Sequence, residues 1–126
     1  MQDQPSLAEL VCAVREFLGE HAMKELKGHT AFHARVATNA LMIVERQLEQ
    51  GDEHEAGEVA RLEKLLGETG GAEELNRKFC SRIRSGELGM DTPGLFDHLW
   101  TTTIGQVAID QPKYSGYKKA LEEDTG

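Results

Sequence analysis

The sequence of 126 residues predicts an all-α protein, a compact, mostly antiparallel bundle of about five helices forming one domain over residues 1–126. Apolar residues recur at steps of three and four along most of the chain, and no alternating strand pattern of useful length interrupts them. Prolines stand only at Pro5, Pro93 and Pro112, where helices should start or stop.

Ser6-Leu7-Ala8-Glu9 is a capping box, so the first helix should begin there, with the Ser6 hydroxyl accepting from a free amide and Glu9 reaching back. Leu7, Leu10, Val11, Val14, Phe17 and Leu18 give it one buried face, and a further turn is expected to stop at Gly28. A second helix is expected from about Thr30 to Gln50, ended by Gly51, which tolerates positive φ. The third, Asp52 to about Leu66, places Val59, Leu62, Leu65 and Leu66 on one side and mostly acids on the other, as in an outer helix. After the loop 67–71, Leu75, Phe79 and Ile83 mark a short fourth helix stopped by Gly86. Thr92 should cap a fifth, with Pro93 at its first position, running through Trp100 to about Asp110 and halted by Pro112.

Composition narrows the function. A net charge of −8 argues against general affinity for nucleic acid or an anionic membrane, since phosphate contacts need clustered Lys and Arg. The charge is segregated: acids crowd between Glu45 and Glu74, then Arg77, Lys78, Arg82 and Arg84 follow. Those cations point in several directions around their helix and are expected to pair with the acidic third helix rather than hold a phosphate. Cys12 and Cys80 form no CxxC pair, which suggests ordinary thiols in a reducing compartment. The longest apolar run, Ala40 to Val44, is far short of the roughly 20 residues that span a bilayer, and no apolar leader is visible. A cytoplasmic protein is expected.

The candidate site comes from polar residues on apolar faces. On the second helix, Phe32, Val36, Ala37, Ala40, Leu41, Ile43, Val44 and Leu48 form a broad arc with His33 near its centre. Arg35 and Asn39 border that arc, Asn76 borders the face of the fourth helix, and Asp110 lies near the end of the fifth helix's face of Leu95, Phe96, Leu99, Trp100 and Val107. A buried carboxylate needs a partner, so Asp110 is expected to find one. His33, Arg35, Asn39, Asn76, Arg82 and Asp110 are therefore the candidate polar network or pocket. The leading expectation is a satisfied network that sets helix register, with His33 a core histidine; the alternative is a pocket for an anionic ligand.

No catalytic set is complete. His29 and His33 have metal-ligand spacing, but two ligands make no site, and neither a metal nor a cofactor is expected. Gly67, Gly70 and Gly71 follow no strand, which removes a dinucleotide loop, and no GxSxG elbow or Cys-His pairing occurs. Phe96 and Trp100 are spaced as core residues rather than as a base-stacking platform.

The segments "PSLAELVCAVREFL", "FHARVATNALMIVERQLEQG", "LNRKFCSRIRSGEL" and "TPGLFDHLWTTTIGQVAIDQPKYSGY" together resemble a bacterial family known only as a domain of unknown function. Its members are typically encoded beside aminoglycoside-phosphotransferase-like proteins and acyl-CoA dehydrogenases. The resemblance covers nearly the whole chain, and it implies an accessory role in acyl-CoA or related catabolism through contact with the kinase-like protein. A non-catalytic helical accessory or interaction protein is thus expected, with a phosphotransferase-like or acyl-CoA dehydrogenase partner. Surplus apolar surface on the second helix also makes a homodimer an expectation to test.

Overall fold

The computed structural model describes residues 4–125, and among them every regular element is helical. Helix α1 spans Leu7–Glu16 and runs on through a π-helical stretch, Phe17–Ala22, into a last turn, Met23–Glu25. Then come α2 (Gly28–Leu66), α3 (Ala72–Ser85), α4 (Leu95–Asp110) and α5 (Ser115–Thr125). No helix among the described residues is long and apolar enough to cross a membrane. The chain divides into two compact units, Met1–Gly51 and Asp52–Gly126.

Two corrections offset each other in the helix count. The expected second and third helices are one continuous helix of 39 residues, because Gly51 keeps a negative φ and stays within the helical run. A single glycine inside a helix costs about 1 kcal/mol relative to alanine, too little to break a run flanked on both sides by good helix formers. The second correction is α5, which lies beyond Pro112. Its first turn is closed by amides of Tyr117 and Lys118 donating to the Tyr114 carbonyl, and it packs against α4. Only 11 residues long, it carried too short an apolar pattern to stand out.

In the first unit the Ser6–Glu9 capping box is present in both directions, with distances of 3.1 and 3.2 Å. Arg15 pairs with Glu45, and Gly19 lies beside Thr38, so α1 and the first half of α2 run antiparallel. The seam uses Val11, Arg15, Leu18 and Ala22 against Ala34, Thr38, Leu41 and Glu45, all buried or half-buried and spaced four, three, four on each helix. Such a seam is narrower than the apolar arcs on these helices. Leu7, Leu10, Val14 and Phe17 of α1 are consequently exposed, as are Phe32, Val36, Val44 and Leu48 of α2.

The second unit holds the larger core, in which Leu62, Leu66, Leu75, Phe79 and Leu95 are buried together, with Val59, Leu65 and Leu88 against them. Truncating a fully buried leucine such as Leu62 or Leu75 to alanine would cost about 2–5 kcal/mol. The second half of α2 contributes to this core and also meets α4, so it is not an outer helix. His54 lies against Gly105, Arg61 against His98 and Leu65 beside Gly94, so each step forward on α2 is a step back on α4. Helix α3 ends at Gly86, in the left-handed conformation expected of that glycine. Thr92, in contrast, does not cap α4. Its hydroxyl accepts from the Gly89 amide at 2.9 Å, and Gly94, with φ 85°, breaks the helical path between Pro93 and Leu95.

The continuity of α2 through Gly51 has a signed test. Gly51→Ala should raise stability by up to about 1 kcal/mol, since the exposed Gln47 amide lying over the glycine can swing away. Gly51→Pro should lower it by about 3 kcal/mol or more. Thermal melts followed by circular dichroism measure both, and a destabilising alanine would mean that residue 51 ends the helix.

Candidate functional site

The six sequence-derived residues fall in both units. His33, Arg35 and Asn39 lie on the first half of α2, and all three are exposed. His33 therefore does not occupy the core as expected. It precedes the seam residue Ala34, and one residue along a helix turns a side chain by about 100°, which carries the imidazole off the seam. Its ring meets Phe32 edge-on, with centroids 5.6 Å apart.

In the second unit the other three each bind a different partner. Asn76 donates to Glu58 Oε1 at 2.8 Å and to the Ala72 carbonyl at 3.0 Å, tying α3 to α2. Arg82 donates to the Leu66 carbonyl at 2.8 Å and pairs with Glu68, so it closes the C-terminal end of α2. Asp110, half-buried, accepts from Gln106 Nε2 at 3.0 Å one turn earlier on its own helix. The basic run of α3 is met by Glu68 of the preceding loop, by Glu73 and Glu74 of α3 itself and by Glu87, rather than by the acids of α2. Two basic partners hold Glu68 below the ordinary carboxylate range, the hydrogen bond from Lys78 being the largest cause.

A different centre stands out on burial. His98, the one polar residue buried among the described ones, is 2 % exposed. Arg61 Nε donates to its Nδ1 at 3.1 Å, and Arg61 Nη2 donates to Thr102 Oγ1 at 3.0 Å. The Phe79 ring meets the imidazole edge-on at 5.2 Å. Since Nδ1 must accept the Arg61 proton, neutral His98 carries its own proton on Nε2. Burial is the main cause that lowers the His98 pKa from 6.5, and the Arg61 charge adds to it while Glu58 opposes. With Nδ1 occupied and Nε2 protonated, His98 is a hydrogen-bond donor and not a general base.

Beside this centre is a cleft of about 460 Å³, where Arg61, Lys64 and Leu65 of α2 face the Thr92–Gly94 turn and Asp97 and His98 of α4. Sequence inspection passed over Arg61 and His98 because apolar residues alone defined the face of α4. That criterion selected Phe96, Leu99 and Trp100, which are exposed, and Phe96 and Trp100 stack on each other at 6.2 Å. The buried stripe is Leu95, His98, Thr102, Gly105 and Ile109, at steps of three and four, with every member buried or half-buried. The signal was the matching polar stripe His54, Glu58 and Arg61 on α2, legible only when both helices are read together. Among the described residues no three His, Cys, Asp or Glu side chains are grouped to hold a metal ion.

A depressed histidine pKa destabilises the folded state in acid, because the unfolded chain takes up the proton more readily. Stability should be complete above about pH 6.5 and fall as the pH drops below that value toward the lower folded-state pKa. His98→Asn should flatten this dependence between about pH 5 and 7, whatever it does to absolute stability. Thermal melts across that range measure the slope, and an unchanged slope in the variant would remove His98 as its source.

No curated protein and no solved structure matches the chain. One family model does, over residues 24–114, which include the whole of α2, α3, α4 and the cleft. With that match covering well over half of its length, the chain belongs to the family described as Domain of unknown function (DUF6285).

Proposed function

We propose that this chain is a non-catalytic helical interaction module of the cytoplasm that engages a partner protein through the apolar side of its first unit. One observation carries the proposal: Leu7, Leu10, Val14 and Phe17 of α1 and Val44 and Leu48 of α2 are exposed, while among the described residues of that unit Ala34 is the one buried side chain. Relative to their seams, both rows are turned in the same sense by about 40–120° at 100° per residue. Because the helices are antiparallel, equal turns bring both rows to one side of the hairpin. An antiparallel helix pair with one apolar side is half of a four-helix bundle, and contiguous exposed apolar surface marks interaction sites. The chemistry at His98 supports the non-catalytic reading, since that imidazole has no free basic nitrogen.

The partner class follows from the resemblance drawn above. A family encoded beside phosphotransferase-like proteins and acyl-CoA dehydrogenases makes those two proteins the first to test, in an accessory role in acyl-CoA catabolism. A second reading, a homodimer, is favoured by the hairpin itself, because a second copy of the same apolar side completes a four-helix bundle.

Val14→Glu combined with Val44→Glu should abolish association and leave the fold intact, since both side chains are largely exposed and such surface changes cost within about 0.5 kcal/mol each. Light scattering of the chain alone and co-purification with each candidate partner give the readout. A monomer at high concentration would eliminate the homodimer, and failure to recover either neighbour at near-equal amounts would eliminate the stable heteromeric complex.

A further inference from the structure

We infer that the cleft between the second half of α2 and the first turn of α4 binds a small monoanion, an oxyanion such as a carboxylate carried on a short apolar chain. Arg61 and Lys64 supply two positive charges on one wall. Of the five N–H donors of a guanidinium, Arg61 uses Nε on His98 and one Nη2 proton on Thr102, and both acceptors are neutral. Three donors therefore remain, and no carboxylate bonds to the guanidinium among the described residues, the Glu58 carboxylate acting on this centre only through space. Neither Arg61 nor Lys64 belongs to an ion pair among the described residues. The guanidinium is nonetheless held in place by its two bonds, and an oriented arginine with no carboxylate bonded to it, beside an open cleft, is the arrangement that recognises an oxyanion.

Charge and shape narrow the ligand further. Asp97, in the first turn of α4, sets one negative charge against the two cations. With His98 neutral, the cleft carries one net positive charge and matches a monoanion better than a dianion. The N-terminal end of the 16-residue α4 adds partial positive charge at the same place. Leu65 and Pro93 line the remainder with apolar surface, and a cleft of about 460 Å³ falls within the range of small-molecule sites. The site lies wholly in the second unit.

Butyrate is the probe, titrated to about 50 mM to cover the millimolar affinity of so small a ligand, with butanol and chloride as controls and butyl phosphate as the dianion. Binding is read by NMR from the His98 ring resonances. Butyrate should shift them saturably, with butanol and chloride without effect and butyl phosphate no tighter than butyrate. Lys64→Gln and Asp97→Asn alter exposed side chains that make no ion pair among the described residues, so both variants should fold. The first should weaken butyrate by about two- to fivefold and the second should tighten it by a similar factor. Absence of a saturable shift, equal binding of butanol, tighter binding of butyl phosphate, or an affinity indifferent to both substitutions would each overturn the assignment.

Discussion

An arginine cannot give up its charge inside a protein, and the placement of Arg61 in a helix seam organises the second unit around that fact. Its Nε proton requires an acceptor, which selects the Nδ1-unprotonated tautomer of His98; its Nη2 proton requires another, which places Thr102 one turn further along α4. Two bonds from one planar group fix both the separation and the register of α2 and α4. With that register set, His54 meets Gly105, where a side chain would collide with the imidazole, and Leu65 reaches Gly94. Leu95 is then delivered to the cluster of Leu62, Leu66, Leu75 and Phe79. Displacing the register by one residue would leave a buried histidine and a cation without partners, at a cost of both hydrogen bonds.

The two units use apolar surface differently. In the second, α2 meets α3 and α4 and buries Leu62 and Leu66; in the first, α2 pairs with α1 along one stripe, while Phe32, Val36, Val44 and Leu48 of its broad apolar arc are exposed. One helical neighbour covers a seam at positions four, three, four, whereas an arc such as Phe32 to Leu48 wraps much further around the helix. The surplus is the surface we propose for a partner, and the cleft at the start of α4 joins charged groups to the apolar surface of Leu65 and Pro93.

Much of the architecture was legible locally. The Ser6–Glu9 capping box, the loop after Leu66, the stop at Gly86 and the end of the long pattern at Asp110 all rest on neighbours within one helical turn. Gly51 misled because its sequence signal, a glycine after a periodic run, is the same whether the residue adopts positive φ or stays helical; the choice depends on what surrounds it in space. Phe96 and Trp100 misled for a related reason, since apolarity predicts that a residue gains from burial without saying that a neighbour is there to bury it. Asn76 and Arg82 were recognised as significant, but their partners, Glu58 and the Leu66 carbonyl, lie 18 and 16 residues away.

The sequence by itself determined that this chain is helical and where most of its helices begin and end, because periodicity and caps are short-range properties carried by residues within a turn of one another. It also determined that no assembled motif for metal, nucleotide or nucleophilic chemistry is written in contiguous residues. Only the tertiary structure decided which side of each helix is buried. An apolar arc offers several seams, and the one chosen depends on the facing helix: Ala34 instead of His33 on α2, and His98 with Thr102 instead of Leu99 with Trp100 on α4. The buried polar centre is accordingly not His33 but Arg61 and His98, residues 37 positions apart that meet when two antiparallel helices are brought into register.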